Sequence, residues 1–451
     1  MGSAEAVGSL LIRNGTIVTM NDAFDVVSGD VLIIDGRIAA VGQLSDSQVT
    51  RLPDSTVDAR GGYVLPGFIQ THVHLCQTLF RGYADDLPLM DWLRTRVWLM
   101  EAAHTPASLR AATRLATTEL LLTGTTSVLT METVHDTDAV FEAAAASGIR
   151  ATIGKCMMDA PAEGTPARLH ENARASLAES RGLLERWHGA ANGRLHAAFA
   201  PRFAVSCTRD LLEAVADLSA ATETLVHTHA SENREEIAIV RALSGLANVE
   251  YLAAVRLASP RLCAAHCVWV GDREQALLAE HDVKVMHCPS SNLKLGSGLA
   301  PVAELRSRGV TVSLGADGAA CNNRLDMFEE MRLAALLQAT RRSPGAVTAR
   351  DALTMATRAG AKTLGMEAEL GSIEAGKRGD VIVVDRDRLT LAPDVDPYST
   401  LVYAARGTDV RTTIVGGEVL IDEFVPVRVD AAAVAAEARA QARALAARAA
   451  V

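Results

Sequence analysis

The sequence lacks several features that would assign it to common classes of protein. Among its 451 residues, no apolar run approaches the ~20 residues of a membrane-spanning helix, and no basic run is present. The formal net charge is −10, from 44 Lys and Arg against 54 Asp and Glu. An acidic chain without a basic run is a poor candidate for binding nucleic acid or a membrane surface. We therefore expect neither partner.

Cysteine is scarce and scattered. The chain has seven cysteines, an odd number, and none of them forms a CxxC motif. This argues against a disulfide framework and favours a reducing compartment. Residues 1–7 also lack the basic and apolar regions of a secretory signal. We expect a cytoplasmic protein.

The motifs of several enzyme classes are absent as well. The sequence contains no GxSxG nucleophile elbow, no GxxxxGK[ST] phosphate loop and no GxGxxG dinucleotide fingerprint. It also lacks the HExxH helix of zinc proteases and the PCxxC signature of one class of nucleobase deaminase. Any catalytic chemistry must therefore come from residues that are dispersed along the chain.

Short apolar runs alternate with helical patterns through the middle of the chain. The segments between the runs have Ala, Leu and Glu at helical spacing. Eight strand–helix units over about 300 residues predict an α/β protein with a (β/α)8 TIM-like barrel, rather than an open doubly wound sheet. The eight runs are Val64–Ile69, Ser127–Met131, Arg150–Cys156, Leu195–Ala200, Thr224–Val226, Leu262–Ala265, Val283–Met286 and Val310–Leu314.

The two ends of the chain are rich in short strands and turns. We predict that residues 1–65 and 370–425 together form a small composite β-sandwich domain. The barrel would then span residues 66–369. The last segment, residues 430–451, is nearly all Ala, Arg, Glu and Val, which predicts a helical tail packed on the surface.

Four polar residues at predicted strand ends form a candidate metal site. His72 and His74 alternate along one strand, so their imidazoles face the same side. His229 and Asp317 follow the fifth and eighth runs, and a barrel brings the carboxyl ends of its strands to one mouth. Neutral imidazoles and a carboxylate are good ligands for Zn²⁺. We predict one divalent metal ion per chain, zinc rather than iron, although the ligand set suits both.

Glu232 follows His229 by three residues. An unliganded carboxylate next to a metal site is suited to proton transfer. The fourth run offers no bridging lysine or carboxylate, and Lys155 on the third run is near no second ligand cluster. The sequence therefore predicts one metal ion rather than two.

These residues and their surrounding motifs resemble those of the amidohydrolase superfamily. Residues 66–74 (PGFIQTHVH) and 314–318 (LGADG) look like its first- and eighth-strand motifs, and the resemblance extends to about residue 420. Within the superfamily, the chain is similar to the mononuclear aminohydrolases. These include deaminases of S-adenosylhomocysteine, methylthioadenosine and 5′-deoxyadenosine, guanine deaminases and s-triazine hydrolases. Residues 79–93 and 287–295 look like the adenosine-type enzymes.

The resemblance also implies a set of substrate-binding residues. Glu101 lies where adenosine-type enzymes bind ribose hydroxyls, and Lys155 lies near an arginine of theirs. The Arg202-Phe203 pair departs from that pattern, since those enzymes have a histidine after the proline; Pro-Arg-Phe is similar to the guanine deaminases. Gln77 matches a glutamine of the guanine deaminases, and triazine hydrolases have one too. The full predicted set is Gln77, Glu101, Lys155, Arg202, Phe203 and His287.

The resemblance implies a reaction and three catalytic residues. Asp317 would accept a proton from a water activated by the metal, Glu232 would protonate a ring nitrogen, and His266 would stabilise the attacking group. The predicted function is hydrolytic deamination of an aminated heterocycle, a 5′-modified adenosine, with release of ammonia. The alternatives are a guanine, 8-oxoguanine or pterin deaminase, an s-triazine hydrolase, or a catalytically inactive barrel scaffold. The resemblance also suggests a homo-oligomer.

Overall fold

The computed structural model describes residues 8–45, 53–160 and 163–451. Its strands are β1 (Ser9–Val18), β2 (Val26–Ile34), β3 (Arg37–Gly42), β4 (Ser55–Asp58), β5 (Tyr63–Pro66), β6 (Phe68–His74), β7 (Thr125–Met131), β8 (Arg150–Met157), β9 (Leu195–Pro201), β10 (Val226–Ala230), β11 (Leu262–His266), β12 (Lys284–His287), β13 (Val312–Leu314), β14 (Asp317–Gly318), β15 (Val381–Val384), β16 (Val410–Val415), β17 (Glu418–Asp422) and β18 (Val425–Pro426).

The α-helices connect and cover these strands. They are α1 (Leu89–Trp92), α2 (Trp98–Ala102), α3 (Pro106–Leu122), α4 (Asp138–Ser147), α5 (Ala173–Trp187), α6 (Ala190–Gly193), α7 (Arg209–Thr222), α8 (Arg234–Ser244), α9 (Asn248–Ala254), α10 (Asp272–Glu280), α11 (Pro289–Lys294), α12 (Val302–Ser307), α13 (Met327–Arg341), α14 (Ala349–Ala356), α15 (Arg358–Thr363), α16 (Pro397–Ser399) and α17 (Ala431–Ala449).

Strands from both ends of the chain share one sheet. Its order is β18-β17-β16-β15-β5-β1-β2-β3, with β4 pairing beside β1. The hairpin between β2 and β3 turns at Asp35-Gly36, and both residues have positive φ, as a two-residue hairpin turn of the Asp-Gly type requires. Apolar side chains of β1 and β2, such as Ile12, Ile17 and Val31, are buried in the core of this sheet.

The middle of the chain forms the predicted barrel. Strands β6 to β13 are parallel and lie side by side in chain order. The two-residue strand β14 follows β13 and pairs with β6, Asp317 opposite Val73, which closes the ring. The (β/α)8 prediction is therefore confirmed, and the open doubly wound sheet is excluded. Closure also brings the end of the eighth strand against the end of the first, where the candidate metal ligands lie.

Two predicted strand boundaries were wrong. The first run, Val64–Ile69, is two strands: β5 ends in the terminal sheet, where Pro66 pairs with Val381, and β6 begins the barrel, where Phe68 pairs with Thr125. Gly67 makes this crossing possible, because a Cβ there would lie 2.2 Å from the Thr126 side chain. The fifth strand runs later than predicted, over Val226–Ala230. Both barrel strands therefore extend through their histidines, whose polarity ended the apolar runs in the sequence.

Several helices begin at side-chain caps in the connecting loops. Asn172, Thr208 and Asn233 each accept a hydrogen bond from the backbone N–H three residues later, at the starts of α5, α7 and α8. A cap of this kind stabilises a helix by roughly 1 kcal/mol. The helices then bury one side against the strands; in α7 that side includes Leu211 and Val215.

Two further features tie the parts of the chain together. Helix α17 packs on α3, with an ion pair between Arg114 and Glu437 and with a buried face that includes Leu445. At the other end of the barrel, Arg150 on β8 forms a buried ion pair with Asp380 next to β15.

Among the described residues, no single helix is long and apolar enough to span a membrane; only the bent pair of α8 and α9 passes that test together, by length and composition.

Candidate active site

The first barrel strand supplies two imidazoles with fixed orientations. His72 and His74 both lie on β6 and are buried. His72 Nδ1 lies 2.6 Å from His227 Nε2, and His74 Nδ1 donates to the Met131 carbonyl at 2.7 Å. These partners leave the Nε2 lone pair of each ring free, on the assignment that Nδ1 has the proton in both.

The other two predicted ligands lie against this pair. Asp317 Oδ1 is 3.3 Å from both His72 Nε2 and His74 Nε2. His229 Nε2 is 3.4 Å from His74 Nε2, while its Nδ1 donates to the Arg202 carbonyl at 2.7 Å. Among the described residues, two groups of three have ligand atoms within 4.8 Å of one another: His72, His74 and Asp317; and His72, His229 and His266. The structure therefore brings the four predicted ligands together.

The donor set fits a divalent cation. His72 Nε2 is buried without a hydrogen-bond partner, as a ligand atom pointing at a cation site would be. Burial lowers the pKa of His72 to about 4, and it lowers the pKa of His229 well below its ordinary value, so both rings are neutral. Burial raises the pKa of Asp317, but its histidine neighbours outweigh that effect and hold it well below the usual range. Neutral imidazoles and an ionised carboxylate are the forms that bind metal.

Glu232 and His266 border the same group. Glu232 Oε2 is 3.6 Å from His266 Nε2, and its Oε1 accepts a hydrogen bond from the Ser297 hydroxyl at 3.1 Å. His266 Nε2 is also 3.8 Å from Asp317 Oδ2, and its Nδ1 contacts the Asn292 side chain. Burial raises the pKa of Glu232 above its ordinary value, which favours its protonated form. The site therefore contains a potential proton donor next to the ligand cluster.

The backbone is strained around these side chains. Ser231, His266 and Asp317 have φ angles of 54°, 73° and 62°, in the left-handed region that residues other than glycine seldom adopt. Strain of this kind is kept only where surrounding contacts enforce it, and it concentrates at functional sites.

A cavity opens beside the cluster at the carboxyl ends of the strands. One side is polar and is formed by the predicted ligands and proton-transfer residues. The other side is mainly apolar and includes the indole of Trp92. The lining residues are His74, Gln77, Leu89, Trp92, Leu93, Arg202, Phe203, His229, Glu232, His266, Leu295 and Asp317. A flat heterocycle with one polar edge has the chemistry that suits these walls.

Three of the predicted substrate residues line this cavity. Gln77, Arg202 and Phe203 are in its wall. Glu101 lies behind them: its carboxylate accepts from Arg202 Nη1 at 2.6 Å and Nη2 at 3.3 Å, and from Gln77 Nε2 at 3.1 Å. The Oε1 of Gln77 is buried and has no partner. Glu101 thus orients two residues that face the cavity.

Lys155 and His287 are not in the cavity wall. Lys155 points to the outside of the barrel, where its ammonium donates to Glu171 at 2.6 Å and to Ser176. A substrate-binding role for Lys155 does not agree with this position; side chains alternate along a strand, and the next residue, Cys156, is the one that contacts Arg202. His287 is buried at the end of β12, and neither of its ring nitrogens has a partner.

Sequence reasoning missed several residues that hold the site in place. His227 contacts His72, Ser291 donates to Asp317 Oδ2 at 2.7 Å, and Asn292 and Ser297 hold His266 and Glu232. His227 could have been found, because it alternates with His229 on one strand as His72 does with His74. The other three come from helix α11 and the residues that follow it, whose position opposite the candidate metal ligands depends on the closed barrel.

Known proteins show the same organisation. The sequence model of the amidohydrolase family matches residues 63–420. A 5′-deoxyadenosine deaminase from Methanosarcina acetivorans is 38% identical over 445 residues, which cover 98% of this chain and 100% of that protein. A 5-methylthioadenosine/S-adenosylhomocysteine deaminase from Pelotomaculum thermopropionicum is 36% identical over 435 residues, 96% of this chain and 98% of the relative.

A solved structure agrees at the level of the whole fold. An adenosine deaminase from Xanthomonas campestris with bound zinc matches with a TM-score of 0.90 and 33% sequence identity. The match covers 97% of this chain and 98% of that one. The likeness therefore includes both the barrel and the sheet built from the two ends of the chain.

Proposed function

The chain belongs to the amidohydrolase family, and we propose that it hydrolyses the amino group from an aminated purine, with a 5′-modified adenosine as substrate. One observation carries this proposal. His72, His74, His229 and Asp317 converge at the barrel mouth, directly beside a buried carboxyl group, Glu232, whose pKa is raised. Relatives that align over nearly the whole chain are deaminases of 5′-deoxyadenosine, methylthioadenosine and S-adenosylhomocysteine.

The four ligands would hold one divalent ion. When bound, such an ion lowers the pKa of a water molecule toward about 7 and so supplies hydroxide at neutral pH. We propose zinc, because three imidazoles and a carboxylate suit it and the Xanthomonas relative contains it. Elemental analysis of the purified protein tests this assignment: about one zinc per chain is expected, and iron in its place would correct the choice of metal.

Three side chains would move or hold protons. Asp317 accepts a proton from the attacking water while the Ser291 hydroxyl fixes its Oδ2. Glu232 donates a proton to the ring nitrogen next to the amino-bearing carbon, which makes that carbon electrophilic. His266, between Glu232 and Asp317, stabilises the incoming oxygen. Transfer of a proton to the amino nitrogen then releases ammonia, and the ring retains the oxygen as a carbonyl group.

The wall formed by Arg202 and Gln77 favours a second candidate substrate. Glu101 already accepts three hydrogen bonds from these two residues, so binding a ribose diol would require them to move. Arg202 has further N–H donors, and the buried Gln77 Oε1 is an unused acceptor. A donor and an acceptor side by side are complementary to a ring carbonyl next to an N–H group. This favours a guanine- or pterin-type substrate as the alternative.

An ammonia-release assay distinguishes the two candidates. Zinc-loaded protein is assayed at neutral pH, and turnover confined to the 5′-modified adenosines would support the main proposal. Turnover of guanine or isoxanthopterin would support the alternative, and no turnover by metal-loaded protein would overturn both and leave an s-triazine or another heterocycle. The panel is adenosine, 5′-deoxyadenosine, methylthioadenosine, S-adenosylhomocysteine, guanine, 8-oxoguanine, isoxanthopterin, cytosine and melamine.

The role of Glu232 has its own test. We expect Glu232→Gln to keep its metal and to lose about 10²–10⁴-fold in kcat, the usual contribution of a positioned proton donor. A fully metallated variant with unchanged kcat would remove Glu232 from the mechanism.

We also propose that the protein is a homo-oligomer in a reducing compartment. All seven cysteines lie in the described part of the chain, and each is buried and unpaired. Leu389 and Val395 lie in one loop and are 94% and 87% exposed, which suits a contact between subunits. Light scattering during size-exclusion chromatography measures the molar mass of the protein in solution. A molar mass equal to that of one chain would refute the proposed homo-oligomer.

A further inference from the structure

The loop after β10 places Glu232 in a conformation that needs support. The chain turns at Ser231, whose φ of 54° is unfavourable for a residue with a side chain. The Ser231 carbonyl accepts hydrogen bonds from the N–H groups of Val268 and Trp269. The two N–H groups of the loop, those of Ser231 and Glu232, point the other way, toward the start of α8.

A single buried carboxylate receives both of these N–H groups. Glu236 Oε2 accepts from the Glu232 N–H at 2.7 Å, and Oε1 accepts from the Ser231 N–H at 3.2 Å. The side-chain amide of Asn248 also donates to Oε1. Glu236 is only 1% exposed, so water does not replace these bonds. Three donors converge on it, and only a group that accepts at both oxygens satisfies them all.

The chain contains a matched carboxylate away from the site. Glu274 occupies the same position in α10 as Glu236 does in α8, three residues after the residue that precedes the helix. It is also buried and also accepts two backbone N–H groups, those of Val249 and Gly271, each at 3.1 Å. Neither partner lines the active-site cavity. Glu236 has one more donor, Asn248, and it alone of the two binds the backbone of a residue that lines the cavity, Glu232.

We propose that Glu236 is a positioning residue, which holds the Ser231–Glu232 turn so that the Glu232 carboxyl group points at the reacting ring. It acts through the backbone of Glu232 and does not touch substrate. The proposal rests on the proposed function for the role of Glu232, but the geometry it describes is independent of substrate. In Glu236→Gln an NH₂ group would face one of the two backbone N–H groups, and the turn would lose one of its anchors.

The first test compares two substitutions of the same kind. We expect Glu236→Gln to lose about 10–10²-fold in kcat, because a displacement of 1 Å at a catalytic group can cost this much. Its KM and metal content should stay close to those of the wild type. Glu274→Gln should show a similar decrease in Tm, with kcat within about 2-fold of the wild type. Equal kcat losses in the two variants would overturn the proposal, as would an unchanged kcat in Glu236→Gln.

A double-mutant cycle separates positioning from general stability. If Glu236 acts only through Glu232, adding Glu236→Gln to Glu232→Gln should change the residual kcat by less than about 2-fold. A second loss as large as the first would show that Glu236 acts by another route. Should Glu236→Gln fail to fold, Asn248→Ala removes one donor to Glu236 and leaves both backbone bonds; we expect it to lower kcat by a few-fold at unchanged KM.

Crystal structures keep the proposal decidable without an assay. If wild-type protein releases ammonia from no compound in the panel, the proposed function fails. The positioning role is then decided by the place of the Glu232 carboxylate. In Glu236→Gln the Glu232 carboxylate should move away from the Ser297 hydroxyl, and in Glu274→Gln it should stay beside that hydroxyl. A Glu232 carboxylate that is unmoved in both variants would overturn the proposal.

Discussion

Two buried arginine–carboxylate pairs lie at opposite ends of the barrel. At the base, Arg150 donates from Nε and Nη2 to the two oxygens of Asp380, at 2.9 and 3.0 Å. At the mouth, Arg202 donates from Nη1 and Nη2 to the two oxygens of Glu101. All four side chains are at most 5% exposed. The two pairs are alike in chemistry and burial, and they differ in what surrounds them.

The surroundings determine what each pair can do. Asp380 also accepts a hydrogen bond from the Gly416 N–H, and Arg150 also donates to the Gly193 carbonyl. The Arg150–Asp380 ion pair therefore joins the barrel to the terminal sheet. Arg202, by contrast, lines the cavity and has N–H groups that Glu101 does not use. A carboxylate partner raises the pKa of both arginines against the opposing effect of burial. The same interaction therefore joins two parts of the fold at one end and holds a cavity-lining arginine at the other.

The largest expected effect is at the mouth, on removal of the metal. Chelation should abolish ammonia release, because the residues that remain cannot supply hydroxide at neutral pH. One equivalent of zinc per chain should restore it, and metal-free protein should melt at a lower temperature because the ion binds only the folded state. The Arg150→Met variant should bind the same amount of metal. Full activity in protein shown to contain no metal would contradict the proposal that the barrel mouth holds a catalytic metal ion.

The Arg150–Asp380 ion pair at the base of the barrel can be broken by Arg150→Met. Removing one partner leaves Asp380 buried without its cation, which typically costs about 3–5 kcal/mol of unfolding free energy. Denaturant unfolding measures this loss, while kcat and KM should stay within about 2-fold of the wild type. Replacing Asp380 with Asn in the same chain should recover part of the stability. A large fall in kcat without loss of stability would show that the two ends are not independent.

The mouth pair can be broken in the same way by Arg202→Met. Here we expect kcat/KM to fall by roughly 10–100-fold, since a hydrogen bond from a charged donor is worth about 1.5–3 kcal/mol. The stability loss should be smaller than in Arg150→Met, because Glu101 lies directly behind Arg202, and the shorter methionine side chain would let water from the cavity reach it. Arg202→Lys is the control: it keeps the charge but loses the two-pronged geometry. A variant with unchanged kcat/KM on every substrate would assign this pair to stability alone.

The smallest expected effect concerns pH. Burial raises the pKa of Glu330, which holds Ser290 and Asn322 at the mouth, from 4.5 to about 7. Folded protein then keeps a proton that unfolded protein releases, so this contribution to stability is full below pH 4.5 and is lost as the pH rises through 7. Glu330→Gln removes this pH dependence of the unfolding free energy. The unfolding free energy of the variant relative to that of the wild type should therefore increase by about 1–3 kcal/mol from pH 5 to pH 8.

Thermal unfolding at the two pH values tests this prediction. Glu329→Gln, at the neighbouring half-buried position, is the control for a general change of charge. Burial lowers the pKa of His72, His229 and His287, whereas contact with Asp317 outweighs burial and raises that of His74; these histidines are common to all of these proteins, so their effects cancel from the comparison. A pH dependence of Glu330→Gln equal to that of the wild type would refute the role of Glu330.

The spacing of residue types along the chain was enough to predict the barrel and a cluster of candidate metal ligands at its mouth. The apolar runs recur at strand–helix spacing, and His72 and His74 alternate in a way that predicts a shared face. The same patterns misplaced the start of β6, because two consecutive apolar strands form one run, and the end of β10, because apolar character stops before the polar residues of the mouth. The substrate-binding roles of Lys155 and Glu101 rest on the family resemblance and stay predictions; Lys155 lies outside the cavity wall, and Glu101 is paired with Arg202. A side chain one position along a strand points to the other side of the sheet, and a carboxylate can be taken by a neighbouring arginine.

The sequence by itself therefore determined the fold class, the types of the candidate ligands and the presence of a carboxyl group beside them, because periodicity and side-chain chemistry are local properties of a chain. Only the tertiary structure decided which groups meet. Helix α11 brings Ser291 to the candidate ligand Asp317 and Asn292 to His266, and Glu236 accepts a hydrogen bond from the backbone of Glu232. These contacts, some of them between residues far apart in the chain, depend on barrel closure and loop conformation, and no spacing rule in the sequence records them.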